Sequence, residues 1–289
     1  MIQGKQVKPC SIWRALAVIA AAVLSALHSH ADGSPSELGA EDLLIAAYPQ
    51  ALVHSDNSAE ILWRDGTRMA LDNGLVKASF EDLLNKASIL DQVMVQYPAG
   101  WPFDRSRIAA DPGRVRNEAF FRKLYGNTQK SVEDRLVDVP WPNGTSPERV
   151  RFTSINGAAD ALAAVRDEIG SLGPKAARII ARPNGTFNWR PIAGTQRLSM
   201  HSFGAAIDFD LPGNLSRYWR WDGKEAGTYP SGVLEDDALG AVVRAFEKHG
   251  FIWGGKWGHY DTVHFEYRPE LLRQESVDSK RVAKVPADR

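Results

Sequence analysis

The sequence predicts an α+β fold, a small and mostly antiparallel sheet with flanking helices, preceded by a mixed N-terminal extension. Three observations predict it. Residues 150–153, 204–210 and 262–267 read as strands; helical patterns lie between them; and no regular strand–helix–strand repetition joins the pieces. Of 289 residues 44% are hydrophobic and 24% charged, which excludes both a disordered chain and a polytopic membrane protein. Lys plus Arg and Asp plus Glu stand at 35 each, so no basic excess exists to coat phosphates and no nucleic-acid partner is expected.

The first 31 residues read as an export signal. Lys5, Lys8 and Arg14 supply a basic start, residues 15–27 are mostly Ala, Val and Leu, and Ser29-His30-Ala31 offers small residues where a signal peptidase reads. The apolar run falls short of the roughly 20 residues that span a bilayer, so no stable membrane span is expected after cleavage; an uncleaved anchor is the alternative. Cys10 is the sole cysteine and precedes the cleavage point. A mature chain without cysteine excludes disulfides and thiol catalysis.

Residues 32–139 form an extension of unknown role. Residues 61–67 predict a strand entering the Asp65-Gly66 turn, and residues 119–126 a short helix stopped by Gly126. Residues 140–144, rich in Pro and Gly, mark a boundary. The second domain is expected over 140–272, with a charged tail at 273–289. Within it, Ala158, Ala161, Leu162, Val165, Ile169 and Leu172 follow helical spacing behind a candidate Asn156 cap, with Gly173-Pro174 as the stop. Residues 178–182 read as a short strand. A second helix has Glu235, Asp236 and Asp237 at its start and Lys248-His249 at its end, a charge order that complements the helix dipole.

The chemistry gathers in two clusters, residues 199–208 and 253–266. The expected mature chain has five histidines, and two of them, His201 and His264, lie at strand edges beside carboxylates. That is the composition of a hydrolytic metal centre: zinc catalysis takes three protein ligands and leaves a fourth position for water. Gly254-Gly255-Lys256 lacks the spacing and context of a phosphate-binding loop. His259 reads as a loop or rim histidine and His249 as structural.

Both clusters resemble the zinc peptidases that include D-alanyl-D-alanine carboxypeptidases and the L-alanyl-D-glutamate peptidases of phage endolysins. The pattern S-x-H-x-x-G-x-A-x-D is met at Ser199, His201, Gly204, Ala206 and Asp208. A carboxylate ahead of a His-Phe-Glu strand is met by Asp261, His264, Phe265 and Glu266, and an upstream Asn-x-Arg by Asn188 and Arg190. The resemblance implies His201, Asp208 and His264 as ligands of Zn2+, and Asp261 as the general base that deprotonates the attacking water. It implies that Arg190 and Ser199 hold the substrate, or polarise its carbonyl as charge develops on the oxygen. It also implies a peptidoglycan stem peptide as partner and a periplasmic or extracellular, wall-associated location, with exo- and endopeptidase action both open. Oligomeric state is not legible.

Residues three apart on a strand face opposite ways, so Asp261 is expected on the turn entering the His264 strand. Asp210 shares a strand face with Asp208 but lacks the family spacing, and reads as a flank or as a group that supports a ligand. Glu266 faces the same way as His264 and is either an orienting partner or a strand-pairing residue. A non-catalytic wall- or peptide-binding module on the same fold is the alternative function, because fold alone never fixes activity.

Overall fold

The computed structural model describes residues 39–104, 111–143, 146–220 and 232–272, without the side chains of 142–148. The expected export signal and charged tail lie outside the described residues. The architecture is α+β, as the sequence predicts. Helix α1 (Ala40–Ala47) leads into a three-stranded antiparallel sheet, β1 (Leu52–Val53), β2 (Glu60–Trp63) and β3 (Arg68–Ala70), with the Asp65-Gly66 turn between β2 and β3. Helices α2 (Phe80–Lys86), α3 (Ile89–Met94), α4 (Glu118–Tyr125) and α5 (Gln129–Glu133) follow. α4 ends at Gly126, whose φ of 139° suits glycine.

Strands β4 (Leu136–Asn143) and β5 (Ser146–Thr153) pair along their full length. The boundary expected at residues 139/140 thus falls inside β4, and the described residues belong to one compact unit. Helices α6 (Ala158–Ser171) and α7 (Pro174–Ile179) come next, then β6 (Pro183–Gly185), β7 (Ala206–Phe209), α8 (Asp237–Lys248), β8 (Phe251–Trp253) and β9 (His264–Tyr267). The last four strands form an antiparallel sheet in the order β6-β7-β9-β8.

Two local expectations are corrected. Residues 178–182 are not a strand: Pro174 occupies the first turn of α7, where its missing N–H costs nothing, and Ala176 and Ile179 bury one helical face. Nor does Asn156 cap α6. It takes a left-handed conformation (φ 56°), Gly157 holds the cap position, and the Asn156 amide donates to the Ala47 carbonyl at 2.8 Å. The prediction for α8 holds, with the Asp236 side chain accepting from the Leu239 N–H.

The core has two main parts. One places α6, α7 and α8 against the four-stranded sheet, with Phe246 stacked on Phe265 at 4.0 Å between ring centres. The other joins Phe120, Phe121 and Tyr125 of α4 to Phe203, Ala205 and Ala206. Each fully buried aromatic ring there contributes about 1.5–3 kcal/mol. The N-terminal residues therefore share a core with the segment that carries the first chemical motif. No helix among the described residues is long and apolar enough to cross a membrane.

Candidate metal centre

The sheet register builds the site. Strands β7 and β9 are antiparallel neighbours with Asp208 directly opposite His264, and His264 Nδ1 lies 2.7 Å from Asp208 Oδ1. His201 arrives from a 3-10 turn, Met200–Phe203, capped by Ser199. Gly204 ends that turn with φ 64° and sends the chain into β7, which explains the glycine three residues after the histidine. His201 Nε2 then stands 3.2 Å from both His264 Nδ1 and Asp208 Oδ1. One ligand atom from each of the three residues lies within 4.8 Å of the others.

This donor set fits a zinc-like ion. Donors on a tetrahedral ion with bonds of about 2.0–2.2 Å stand roughly 3.3–3.6 Å apart. The two 3.2 Å spacings to His201 Nε2 come close, while His264 Nδ1 and Asp208 Oδ1, at 2.7 Å, are within hydrogen-bonding distance and would part to admit the ion. The second nitrogen of each ring is engaged as ligating histidines require. His201 Nδ1 donates to the Thr186 carbonyl at 2.6 Å, which turns Nε2 toward the other two ligands, and His264 Nε2 faces Glu266 Oε1 at 3.0 Å. Burial works against a cation at His264, but hydrogen bonds and charge from Asp208 and Glu266 more than offset it and hold its pKa up at about 10. Burial likewise opposes the Asp208 carboxylate, yet the two histidines keep it well below the usual range. The site is built to favour positive charge between these groups.

Glu266 is itself anchored. Its second oxygen meets Arg268 Nη1 at 3.3 Å, Arg268 Nε donates to Glu270 at 2.6 Å, and Glu270 accepts from Tyr48 of the N-terminal segment at 2.5 Å. Of the two readings open for Glu266, the structure thus displays the orienting contact to His264. Trp257 closes the other side of the ring, with centres 5.4 Å apart.

Asp261 lies before the turn into β9, as strand geometry requires, in an isolated bridge with Tyr218. Its N–H donates to the Gly254 carbonyl at 2.9 Å. Burial pushes its carboxyl pKa up; His264 and Arg114 pull it down while Asp208 adds to the rise. Arg190 reaches the site through backbone lacing: its N–H donates to Ser202 Oγ, and its carbonyl accepts from Ser199 N–H and from the Ser202 hydroxyl. Ser199 Oγ accepts from the His201 N–H at 3.4 Å. All six predicted residues, Arg190, Ser199, His201, Asp208, Asp261 and His264, line one cavity of about 530 Å³.

Asp210 stays outside, paired with Arg182 at 3.0 Å. His249 pairs with Glu168 at the end of α8, consistent with a structural place. Lys256 is fully buried against Glu247 at 2.5 Å, remote in kind from a phosphate-binding lysine. His259 lines the cavity with Nδ1 held by Asp111 at 2.5 Å. Sequence reasoning did not single out Arg114, Arg116 and Arg197, which also line it. The first two come from a segment without any motif, and only the tertiary fold brings them here.

Residues 193–267 match the family model described as D-alanyl-D-alanine carboxypeptidase. The matched segment holds Ser199, His201, Asp208, Asp261 and His264 and begins just after Arg190. The resemblance drawn from the two motifs is therefore borne out for this peptidase segment. No curated protein and no solved structure matches the chain.

Proposed function

We propose that the chain is an exported zinc peptidase that hydrolyses amide bonds in peptidoglycan stem peptides. The observation that carries the reading is the convergence of His201 Nε2, Asp208 Oδ1 and His264 on one point beside Asp261, within the segment that matches a peptidase family. His201, Asp208 and His264 would hold the ion. When bound, zinc supplies Lewis acidity, acidifying water and polarising a carbonyl.

The protein's own residues do the rest. Asp261 accepts the proton of the attacking water and returns it to the leaving amine, and its raised pKa makes it a stronger base than an exposed aspartate. Arg190 offers a planar fork for a substrate carboxylate. Ser199 uses its oxygen to accept from the His201 backbone and keeps its hydroxyl proton for the substrate. Glu266 and the Thr186 carbonyl keep the two imidazoles oriented.

The test is hydrolysis of purified stem peptide by the full chain, metal-stripped and then zinc-restored, beside Asp261→Ala. Cleavage should return with zinc and fall by about 10²–10⁴ in the variant, the range of a lost general base, while zinc content stays at the wild-type level. Product masses name the bond cut. Zinc bound without cleavage of any stem peptide would refute the peptidase and favour the binding module.

A further inference from the structure

We propose that Arg114 and Arg197 form a second acid-binding subsite in the same cavity, which holds a carboxylate of an acidic peptide other than the group met by Arg190. The proposal rests on the peptidase reading of the site and specifies its substrate.

Both arginines line the cavity that contains Arg190, Asp261 and His264. Arg114 is fixed: Nε and Nη2 donate to the His259 carbonyl at 3.3 and 2.9 Å, and its guanidinium lies over the Trp257 ring at 4.8 Å. Arg197 Nη1 donates to the Arg114 carbonyl at 3.0 Å, while its Nε is buried with no partner among the described residues. Among the described residues neither guanidinium is hydrogen-bonded to a carboxylate: carbonyls and the Trp257 face hold them, with Asp261 acting on Arg114 and Glu118 on Arg197 only through space.

The neighbouring acids are already engaged. Glu118 binds Arg122 at 2.7 Å through one oxygen and accepts the Leu198 N–H at 2.7 Å through the other. Asp111 holds both the backbone N–H and Nδ1 of His259. Arg116 differs from the pair in being buried, with both of its terminal nitrogens donating to carbonyls, of Gly113 and Leu198.

Two part-buried guanidiniums side by side repel one another, and burial together with Arg114 lowers the pKa of Arg197 although Glu118 opposes the shift. A part-buried guanidinium with no hydrogen-bonded carboxylate is costly. At a substrate cavity an anion from the substrate relieves that cost, and a carboxylate matches the fork of a guanidinium through paired hydrogen bonds. The wall that supplies Arg114 comes from the N-terminal extension, so this part of the chain has a recognition task as well as a packing one.

Binding of two probes to the full, zinc-free chain tests the proposal by calorimetry: a stem pentapeptide with all carboxylates free, and the same peptide with its internal carboxylates converted to carboxamides. The acid form should bind about tenfold tighter or better, the range of a charge-assisted hydrogen bond. That ratio should shrink with added salt and approach one in Arg114→Gln and in Arg197→Gln. Equal binding of the two peptides by the wild-type chain, or no binding of either, overturns the proposal without recourse to a variant. A ratio that persists in both variants and disappears in Arg190→Gln overturns it too. Cleavage with zinc is scored separately: acid preference without cleavage sinks the peptidase and leaves the subsite standing, whereas cleavage with equal binding does the reverse.

Discussion

His264 is gripped from both ring nitrogens, by Asp208 at 2.7 Å and by Glu266 at 3.0 Å, and that grip sets the behaviour of the site. Glu266→Gln keeps the shape but loses the charge that fixes which ring nitrogen carries the proton. Zinc affinity should fall about 10–100-fold, the usual effect of removing such an orienting partner. Competition with a chromophoric chelator measures it; unchanged affinity would reduce Glu266 to a strand-pairing residue. Asp261 sets the pH response. A carboxyl acts as a base only when ionised, and burial raises this one above the ordinary value of about 3.9. The acid limb of kcat/KM should therefore lie above that value, with activity lost as the pH falls through it. A limb at or below the range of exposed aspartates would contradict the assignment.

At the scale of elements, the site depends on two tight backbone approaches. Gly204 lets the His201 turn feed β7. Gly254, at the end of β8, admits no side chain: a Cβ would stand 2.5 Å from the Asp261 carbonyl oxygen, a backbone atom that must then move. Gly254→Ala should displace Asp261, and misplacement of a reacting group by about 1 Å costs on the order of 10²-fold. The expected outcome is a drop in kcat, with zinc content measured beside it because the His264 N–H donates to that same carbonyl at 3.3 Å. A kcat equal to wild type would show that the backbone at Asp261 yields without consequence. The misread strand at 178–182 teaches the complementary lesson. Its paired isoleucines, Ile179 and Ile180, carry strand propensity, but the packing of α7 against α6 and α8 decides the helix.

At the scale of the molecule, the N-terminal residues are part of the core that supports the site. Phe120 and Phe121 pack with Phe203 and Ala206 beside the His201 turn, and Tyr48 ends the chain of contacts that runs through Glu270, Arg268 and Glu266 to His264. A fragment starting at residue 136 would expose this apolar surface and leave Arg268 and Glu270 buried without Tyr48 and Gln92. It should lose its near-ultraviolet circular dichroism and melt without a cooperative transition, whereas a chain starting at residue 39 should melt cooperatively. A cooperative melt of the shorter fragment would show that the peptidase segment folds alone.

The sequence by itself determined the α+β class, the α4 and α8 helices, the three residues that converge at the metal centre and the place of Asp261 ahead of its strand. Those features are local: hydrophobic period, capping and motif spacing are written in consecutive residues. Only the tertiary structure decided that Glu266 orients His264, that Ser202 laces Arg190 to the site, and that Arg114 and Arg197 reach the cavity. Each of these depends on contacts between segments far apart in the chain, where no spacing rule applies. Strand register and the shared aromatic core, not propensity, bring them together.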